Sequence, residues 1–388
     1  MSKLEELIQE LCPDGVEYKE IGDIATCFPG ATPKTSNPEY WENGTIPWMS
    51  SGEVNYGEVT YTEKKITQLG YDNTSTKMVP VNSVVIALAG QGKTRGTVAI
   101  TRIPLCTNQS LCAIVPKSKI MSEFLLHFLR SQYQQLREVS SGDGTRGGLN
   151  LKMINAYKIP VPPLPVQEEI VRILDNFTEL TAELTAELTA RKKQYEYYRK
   201  ELLTFTDDVK KVPLIDVVKI KRGVRVVKSQ LAVEGEYPVF QNSMTPLGYM
   251  DKANCTGDTA FIITAGAAGE IGYTDNDFWA ADDCFSFECP QYLKSKYLYY
   301  ILLCQQNTIY SKVRKASIPR LPRSAIEKLI IPVPSVDIQE KIVDVLDRFD
   351  TLCNDISKGL PAEIVARQKQ YEYYRDKLLT FKESSDEN

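Results

Sequence analysis

The chain has 388 residues, enough for two or three domains that each bury a core of their own. Hydrophobic residues make up 43% and charged residues 25%, a globular composition that excludes a disordered chain, and no run approaches the roughly 18 apolar residues of a membrane helix. The net charge of −4 argues against a nucleic-acid partner only until it is resolved by region. Residues 15–158 carry 15 basic and 12 acidic side chains, 209–330 carry 16 and 12, and the remaining segments carry 15 and 26. Two mildly basic blocks beside an acidic remainder suit DNA-facing domains on a scaffold.

Met1 to Glu10 reads as a short amphipathic segment without the apolar centre of a signal peptide. The nine cysteines include no Cys-x-x-Cys, and the nearest pairs, Cys106/Cys112 and Cys284/Cys289, have no metal-knuckle spacing. Reduced, mostly buried thiols in a cytoplasmic protein are therefore expected. From residue 15 a β-rich stretch runs to a strand closed by Pro116, followed by a Ser-led helix over 122–137, a basic loop and Ile-Pro-Val-Pro. Residues 209–330 repeat that order, with a strand closed by Pro290 and a helix over 295–310.

The repeat is strongest outside the blocks. IPVPPLPVQEEIVRILDNF at 159–177 returns as IPVPSVDIQEKIVDVLDRF at 331–349, and RKKQYEYYRKELLTF at 191–205 returns as RQKQYEYYRDKLLTF at 367–381. Apolar residues step by three and four from Ile170 through Phe177, Leu188, Tyr195 and Tyr198 to Phe205. They do so again from Ile342 through Phe349, Leu352, Ile356, Leu360, Tyr371 and Tyr374 to Phe381. The spacing predicts two long helices, each with one apolar stripe. The first, over 167–205, would span about 58 Å and needs a partner for its stripe, and the other copy is the obvious one. Asp337 with Glu340 fits a capping box at the start of the second helix, and Gly359 and Pro361 predict a weak point in its middle. Leu180-Thr-Ala-Glu-Leu184-Thr-Ala-Glu-Leu188 is a perfect four-residue repeat that the second helix copies more crudely. One such unit adds about 6 Å and about 40° of rotation.

Taken together, IPVPPLPVQEEIV and IPVPSVDIQEKIV, the paired KQYEYYR segments and the Thr-Ala-Glu-Leu tract resemble the specificity subunit of a Type I restriction-modification system, over the whole chain. The resemblance divides the chain into an N-terminal segment (1–14), target recognition domain 1 (15–158) and a central helical spacer (159–208). Target recognition domain 2 (209–330) and a C-terminal helical spacer with tail (331–388) follow. It implies an α+β protein with two globular heads separated by two long helices in an antiparallel coiled coil, with pseudo-twofold internal duplication. It further implies that each head reads one half of a bipartite target in double-stranded DNA, and that the helices dock two methyltransferase subunits. Restriction subunits would join them for cleavage. S-adenosylmethionine, ATP and magnesium are then expected on the partners and no cofactor in this chain. Tyr195, Tyr198, Tyr371 and Tyr374 are expected in the coiled coil and docking surface.

Motifs of other functions are weak. Asn37-Pro38-Glu39-Tyr40 has glutamate where an amino-methyltransferase motif needs a second proline, and no Gly-rich loop follows a strand. Gly92-Lys93-Thr94 lacks the first glycine of a phosphate loop, where Ala87 stands. The single histidine, His127, lies in an apolar helix and leaves little for histidine or zinc chemistry. A nuclease reading of Pro13-Asp14 with Glu17 and Lys19 is too compressed. The rival functions are an autonomous DNA methyltransferase or nuclease with an unrecognised site, and an assembly scaffold that binds no DNA.

Direct readout needs Arg, Lys, Asn, Gln and Ser on loops or helix ends. The candidates in the first head are Lys34, Thr35, Ser36, Asn37, Lys93, Arg95, Asn108, Gln109 and Arg146. In the second they are Arg222, Arg225, Lys228, Asn242, Lys312, Arg314, Lys315, Arg320 and Arg323.

Overall fold

The computed structural model describes residues 2–90, 94–140 and 148–384. The chain forms two compact units: Met1–Glu183 with Val365–Asn388, and Leu184–Ile364. These cut through both helical spacers, so each head shares its core with part of the helices.

The first unit begins with α1 (Lys3–Leu11), capped by Ser2 and Glu5 in a reciprocal box. Then come β1 (Tyr18–Glu20), α2 (Ile21–Ile24), β2 (Ala25–Pro29), β3 (Ile46–Met49), β4 (Glu58–Val59), β5 (Lys64–Ile66) and α3 (Gln68–Asp72). The central strands are β6 (Val84–Ala87), β7 (Val98–Thr101), β8 (Cys106–Thr107) and β9 (Leu111–Pro116). Helices α4 (Ser122–Ser131), α5 (Tyr133–Val139) and α6 (Leu151–Asn155) lead to β10 (Lys158–Pro160) and the long α7 (Leu164–Leu202). A five-stranded sheet runs β2-β9-β6-β7-β4, a smaller one β5-β3-β8, and β1 pairs with β10.

The second unit repeats this plan. Its strands are β11 (Lys211–Pro213), β12 (Lys219–Arg222), β13 (Tyr237–Phe240), β14 (Tyr249–Met250), β15 (Thr259–Ile263), β16 (Ile271–Thr274), β17 (Trp279–Ala280) and β18 (Cys284–Glu288). After them come α8 (Ser295–Cys304), α9 (Gln306–Ser311), α10 (Arg323–Glu327), β19 (Ile330–Pro332), α11 (Val336–Asn354) and α12 (Leu360–Leu378). The sheets run β12-β18-β15-β16, β14-β13-β17 and β11-β19. Each matches its counterpart strand for strand except that β4 has no partner in the second unit. The α+β class and the internal duplication read from the sequence are both present.

Both faces of the main sheets are covered at their centre, so the central strands β6 and β15 are apolar on both faces rather than at alternate positions. In β6, Val84 and Ile86 enter the core shared with α4, whereas Val85 and Ala87 enter a separate core on the other face. β15 repeats the split, with Ala260 and Ile262 on one side and Phe261 and Ile263 on the other.

In each unit a buried glutamine helps to join head to helix. Gln167, in the first turns of α7, is fully buried. Its amide donates to the Lys119 and Pro162 carbonyls at 3.0 and 2.7 Å, and its Oε1 accepts from the Met121 N–H at 2.9 Å. Met121 is the N-cap of α4 and provides no side-chain cap, so an amide from another helix serves that end. Gln339 in α11 repeats all three contacts, with Tyr292, Pro334 and Lys294, each at 2.9 Å. Above this joint, His127 of α4 bonds Asp175 at 2.8 Å and Tyr371 at 3.3 Å. The matching contact in the second unit is Tyr300 of α8 donating to Asp347 at 2.5 Å. Burial, then that carboxylate, push the Tyr300 ionisation upward.

The helices pair within each unit. In the second, Tyr198 stacks on Phe349 at 5.6 Å while the Lys192 charge, earlier in α7, acts on Cys353 further along α11. The two helices therefore run antiparallel. In the first unit Phe177 stacks on Tyr374 at 5.4 Å.

Three helix boundaries differ from the sequence expectation. α7 begins at Leu164, with Pro165 tolerated in its first turn, and ends at Leu202, before Phe205. The N-cap of α11 is Ser335 and no side chain caps it, so Asp337 lies in the first turn instead of forming a box with Glu340. The weak point at Gly359 and Pro361 is a complete break, and it starts upstream of both. The Asp355 carboxylate accepts from the Ser357 and Lys358 amides at 2.7 and 3.1 Å, in competition with the helix. Ile356, expected on the apolar stripe, is instead 84% exposed. Pro361 sits in the first turn of α12, where a missing N–H is harmless.

Replacing Gln167 by alanine strands one N–H and two carbonyls in a largely buried joint, and is expected to destabilise the first unit by about 3 kcal/mol or more. Gln339→Ala is expected to do the same to the second. Hydrogen exchange should show faster opening confined to the unit that carries the change, and equal loosening of both units would contradict this.

Candidate nucleic-acid interface

Several of the candidate residues lie near a backbone crossing that occurs once in each head. After β2, the Gly30 N–H donates to the Leu111 carbonyl and the Ala31 N–H to the Thr107 carbonyl, at 3.2 and 2.9 Å. After β12, Gly223 donates to Cys284 and Val224 to Ala280, both at 2.9 Å. The strands pass so closely that a Cβ on Gly30 would collide with the Thr107 carbonyl, and one on Gly223 with those of Ala280 and Ala281. A tryptophan locks each crossing from a different direction: Trp48 donates to the Ala31 carbonyl and Trp279 to that of Val224, each at 3.0 Å.

In the second head this crossing opens into a cleft of about 380 Å³ that brings Arg222, Arg314 and Arg320 together with Asp282 and Asp283. The two outer arginines are positioned by backbone, since Arg314 and Arg320 exchange N–H to carbonyl bonds at 2.8 and 3.2 Å and close a tight loop. Leu321 donates to the Thr264 carbonyl at 2.8 Å and Gly266 to that of Pro319 at 3.2 Å, which fixes the loop to the β15–β16 turn. Asn242 joins the same corner, its carbonyl accepting from Ala267 at 2.9 Å. Arg222 Nε donates to the Asp282 carbonyl at 3.1 Å. Lys315 is exposed on the loop and Lys312 at the end of α9, while Arg225 and Lys228 are exposed after β12. Arg323 stands apart: it begins α10, pairs with Glu327 at 2.8 Å and reaches the Ile220 carbonyl at 3.5 Å.

In the first head the described candidates form a smaller group. Lys34, Thr35 and Ser36 are exposed in the loop after the crossing. Asn37 caps a short turn by accepting from the Glu39 N–H at 3.2 Å, the turn-rich reading of Asn-Pro-Glu-Tyr. Asn108 accepts from the Ser110 N–H at 3.0 Å and shapes the turn, whereas Gln109 is exposed and its amide is held by the Thr32 hydroxyl. Arg95 is half-buried and its carbonyl accepts from Arg137 at 3.5 Å, placing it against α5 rather than in the group. Lys93 and Arg146 lie outside the described residues.

Sequence reasoning passed over Asp282, Asp283 and Gln241. Gln241 Nε2 reaches the Asp282 carboxylate at 3.4 Å. A surface expected to meet phosphates gives no reason to select acids by residue type. Counting back from Pro116 and Pro290 would have placed Gln109 and Asp282 at nearly matching positions.

The four helix tyrosines do not share one environment. Tyr195 is buried, its ring stacked 6.1 Å from Phe349 and its ionisation pushed upward mainly by burial, while Tyr198 is 39% exposed. Tyr371 meets His127 and Tyr374 meets Phe177. Their exposed neighbours Tyr197 and Tyr373, each packed edge-on to the next tyrosine, escaped the sequence reading. Among the described residues all nine cysteines are free and no three His, Cys, Asp or Glu side chains cluster as metal ligands. No described helix is long and apolar enough to cross a membrane.

A family model described as the Type I restriction modification DNA specificity domain matches the chain twice, over residues 13–191 and 206–366. A putative type I restriction enzyme specificity subunit of Haemophilus influenzae is 33% identical over 298 residues, covering 71% of this chain and 76% of its own length. The specificity subunit of the type I restriction enzyme EcoprrI of Escherichia coli is 29% identical over 382 residues, 92% of this chain and 93% of its own. The S subunit of a type I restriction-modification system from Mycoplasma genitalium has a similar fold, with a TM-score of 0.62 over 94% of this chain and 96% of its own, at 16% identity.

Proposed function

Since the chain belongs to the Type I restriction modification DNA specificity family, we propose that it reads a bipartite target in double-stranded DNA, one half-site per head, and performs no chemistry itself. The observation that carries this reading is the shared crossing with unlike side chains around it: Gln109 and Ser110 in one head, Asp282 and Asp283 with three arginines in the other. One backbone frame carrying two different hydrogen-bonding sets is what two independent half-site readers require. The arginines and lysines supply the phosphate term and the shorter polar groups the base term.

In this reading two methyltransferase subunits dock on the helical spacers and restriction subunits join them in the cytoplasm. S-adenosylmethionine, ATP and magnesium then belong to those partners. The exposed Tyr197, Tyr198 and Tyr373 on α7 and α12 supply aromatic area suited to such a contact.

Exchanging residues 209–330 for the equivalent block of a relative is expected to change one half of the methylated motif and leave the other intact. A change in both halves would sink the modular reading. The tract that repeats Leu-Thr-Ala-Glu lies where α7 passes from the first unit into the second, and we assign it the spacing of the half-sites. One further unit after Leu188 adds about 6 Å and about 40°, and a base pair turns by about 34–36°. Methylome sequencing of that insertion is expected to show unchanged half-sites with the unread gap one pair longer. An unchanged gap would remove the helix as the spacer.

A further inference from the structure

The geometry points to Gln109 and Asp282 as homologous base-reading positions, Gln109 selecting adenine in one half-site and Asp282 selecting cytosine in the other. The assignment rests on the reading of the two blocks as DNA heads. Equivalence is fixed by backbone rather than by sequence identity. Each residue stands two places after the carbonyl that accepts from the chain leaving the glycine crossing, Thr107 in one head and Ala280 in the other. The residues at the position differ in the one property that matters for reading, an amide against a carboxylate.

Asp282 stands where phosphate binding alone would not put an acid. It lines the cleft with Arg222, Arg314 and Arg320, and a carboxylate there opposes the DNA backbone that the three arginines attract. Arg222 bonds the Asp282 backbone carbonyl, not the carboxylate. Gln241 holds one carboxylate oxygen from the side at 3.4 Å, which leaves the group able to accept one more donor. In the major groove cytosine offers an amino donor with no acceptor beside it, whereas adenine sets N7 next to its amino group and repels a carboxylate. An acid therefore favours cytosine. At Gln109 the Thr32 hydroxyl orients the amide, and an amide both accepts from the adenine amino group and donates to N7.

The test uses the whole system in cells, read by methylome sequencing, with duplexes differing at one base pair competed for the purified methyltransferase complex. Asp282→Asn is expected to reduce the preference for cytosine over adenine at one position of one half-site by about tenfold or more, the scale of one lost or gained base contact. The other half-site and the gap should stay as they were. Gln109→Glu, at an exposed position that tolerates the change, is expected to shift one position of the other half-site from adenine toward cytosine. It decides the matter if the Asp282 variant does not fold. Weaker methylation on an unchanged motif would make Asp282 a positioning residue for the arginines and overturn the assignment. Changes from both variants in the same half-site would overturn it too. A native chain whose motif is not bipartite would instead bring down the two-head reading on which the assignment stands.

Discussion

A buried primary amide has four hydrogen-bonding capacities and no charge, so it can join three backbone groups from different elements without the desolvation cost of an ion. Gln167 and Gln339 do this in the two units. Each one closes the N-terminus of a head helix, α4 or α8, while holding the carbonyl of the proline turn from which its own helix departs. The exit direction of the long helix is thereby set by the head, and the head helix is set by the spacer. The β1–β10 and β11–β19 pairs, the His127–Asp175 and Tyr300–Asp347 contacts and the stacked rings all depend on that angle.

The joint explains the pattern of the duplication. The glutamine and its proline turn are identical in the two copies, because three backbone groups in a fixed arrangement admit few alternatives. Lys119 and Met121, by contrast, are replaced by Tyr292 and Lys294, which provide only backbone. The heads share a backbone plan while their surface side chains have parted. Val-Gln-Glu-Glu-Ile and Ile-Gln-Glu-Lys-Ile repeat because the glutamine is a structural part. The side chains of the Arg-rich loop at 314–320 and of the loop at 32–37 have no such constraint.

The long helices, the duplicated order and the two heads were legible in the sequence, because period, proline punctuation and near-identical segments are local signals. Other features depend on contacts far apart in the chain. The break at Asp355 comes from a carboxylate turning back on its own amides, which an apolar stripe including Ile356 conceals. The bare start of α11 at Ser335 was hidden by a capping-box pattern, Asp337 with Glu340, that the helix does not use. Among the candidates for DNA contact, residue type selected Arg222, Arg314, Arg320 and Asn242, which the fold gathers in one corner. It also selected Arg323, which pairs with Glu327 outside that corner. Residue type alone does not select Asp282, because what distinguishes it is the arginines that the fold brings around it.

The account stands on two heads of one design reading two different half-sites. Methylome sequencing of cells with and without the gene tests this most directly. The account predicts that one bipartite motif, two short fixed blocks separated by a gap of constant length with unread bases, is methylated with the gene and unmethylated without it. A continuous motif, two motifs that vary independently, or methylation indifferent to the gene would contradict it.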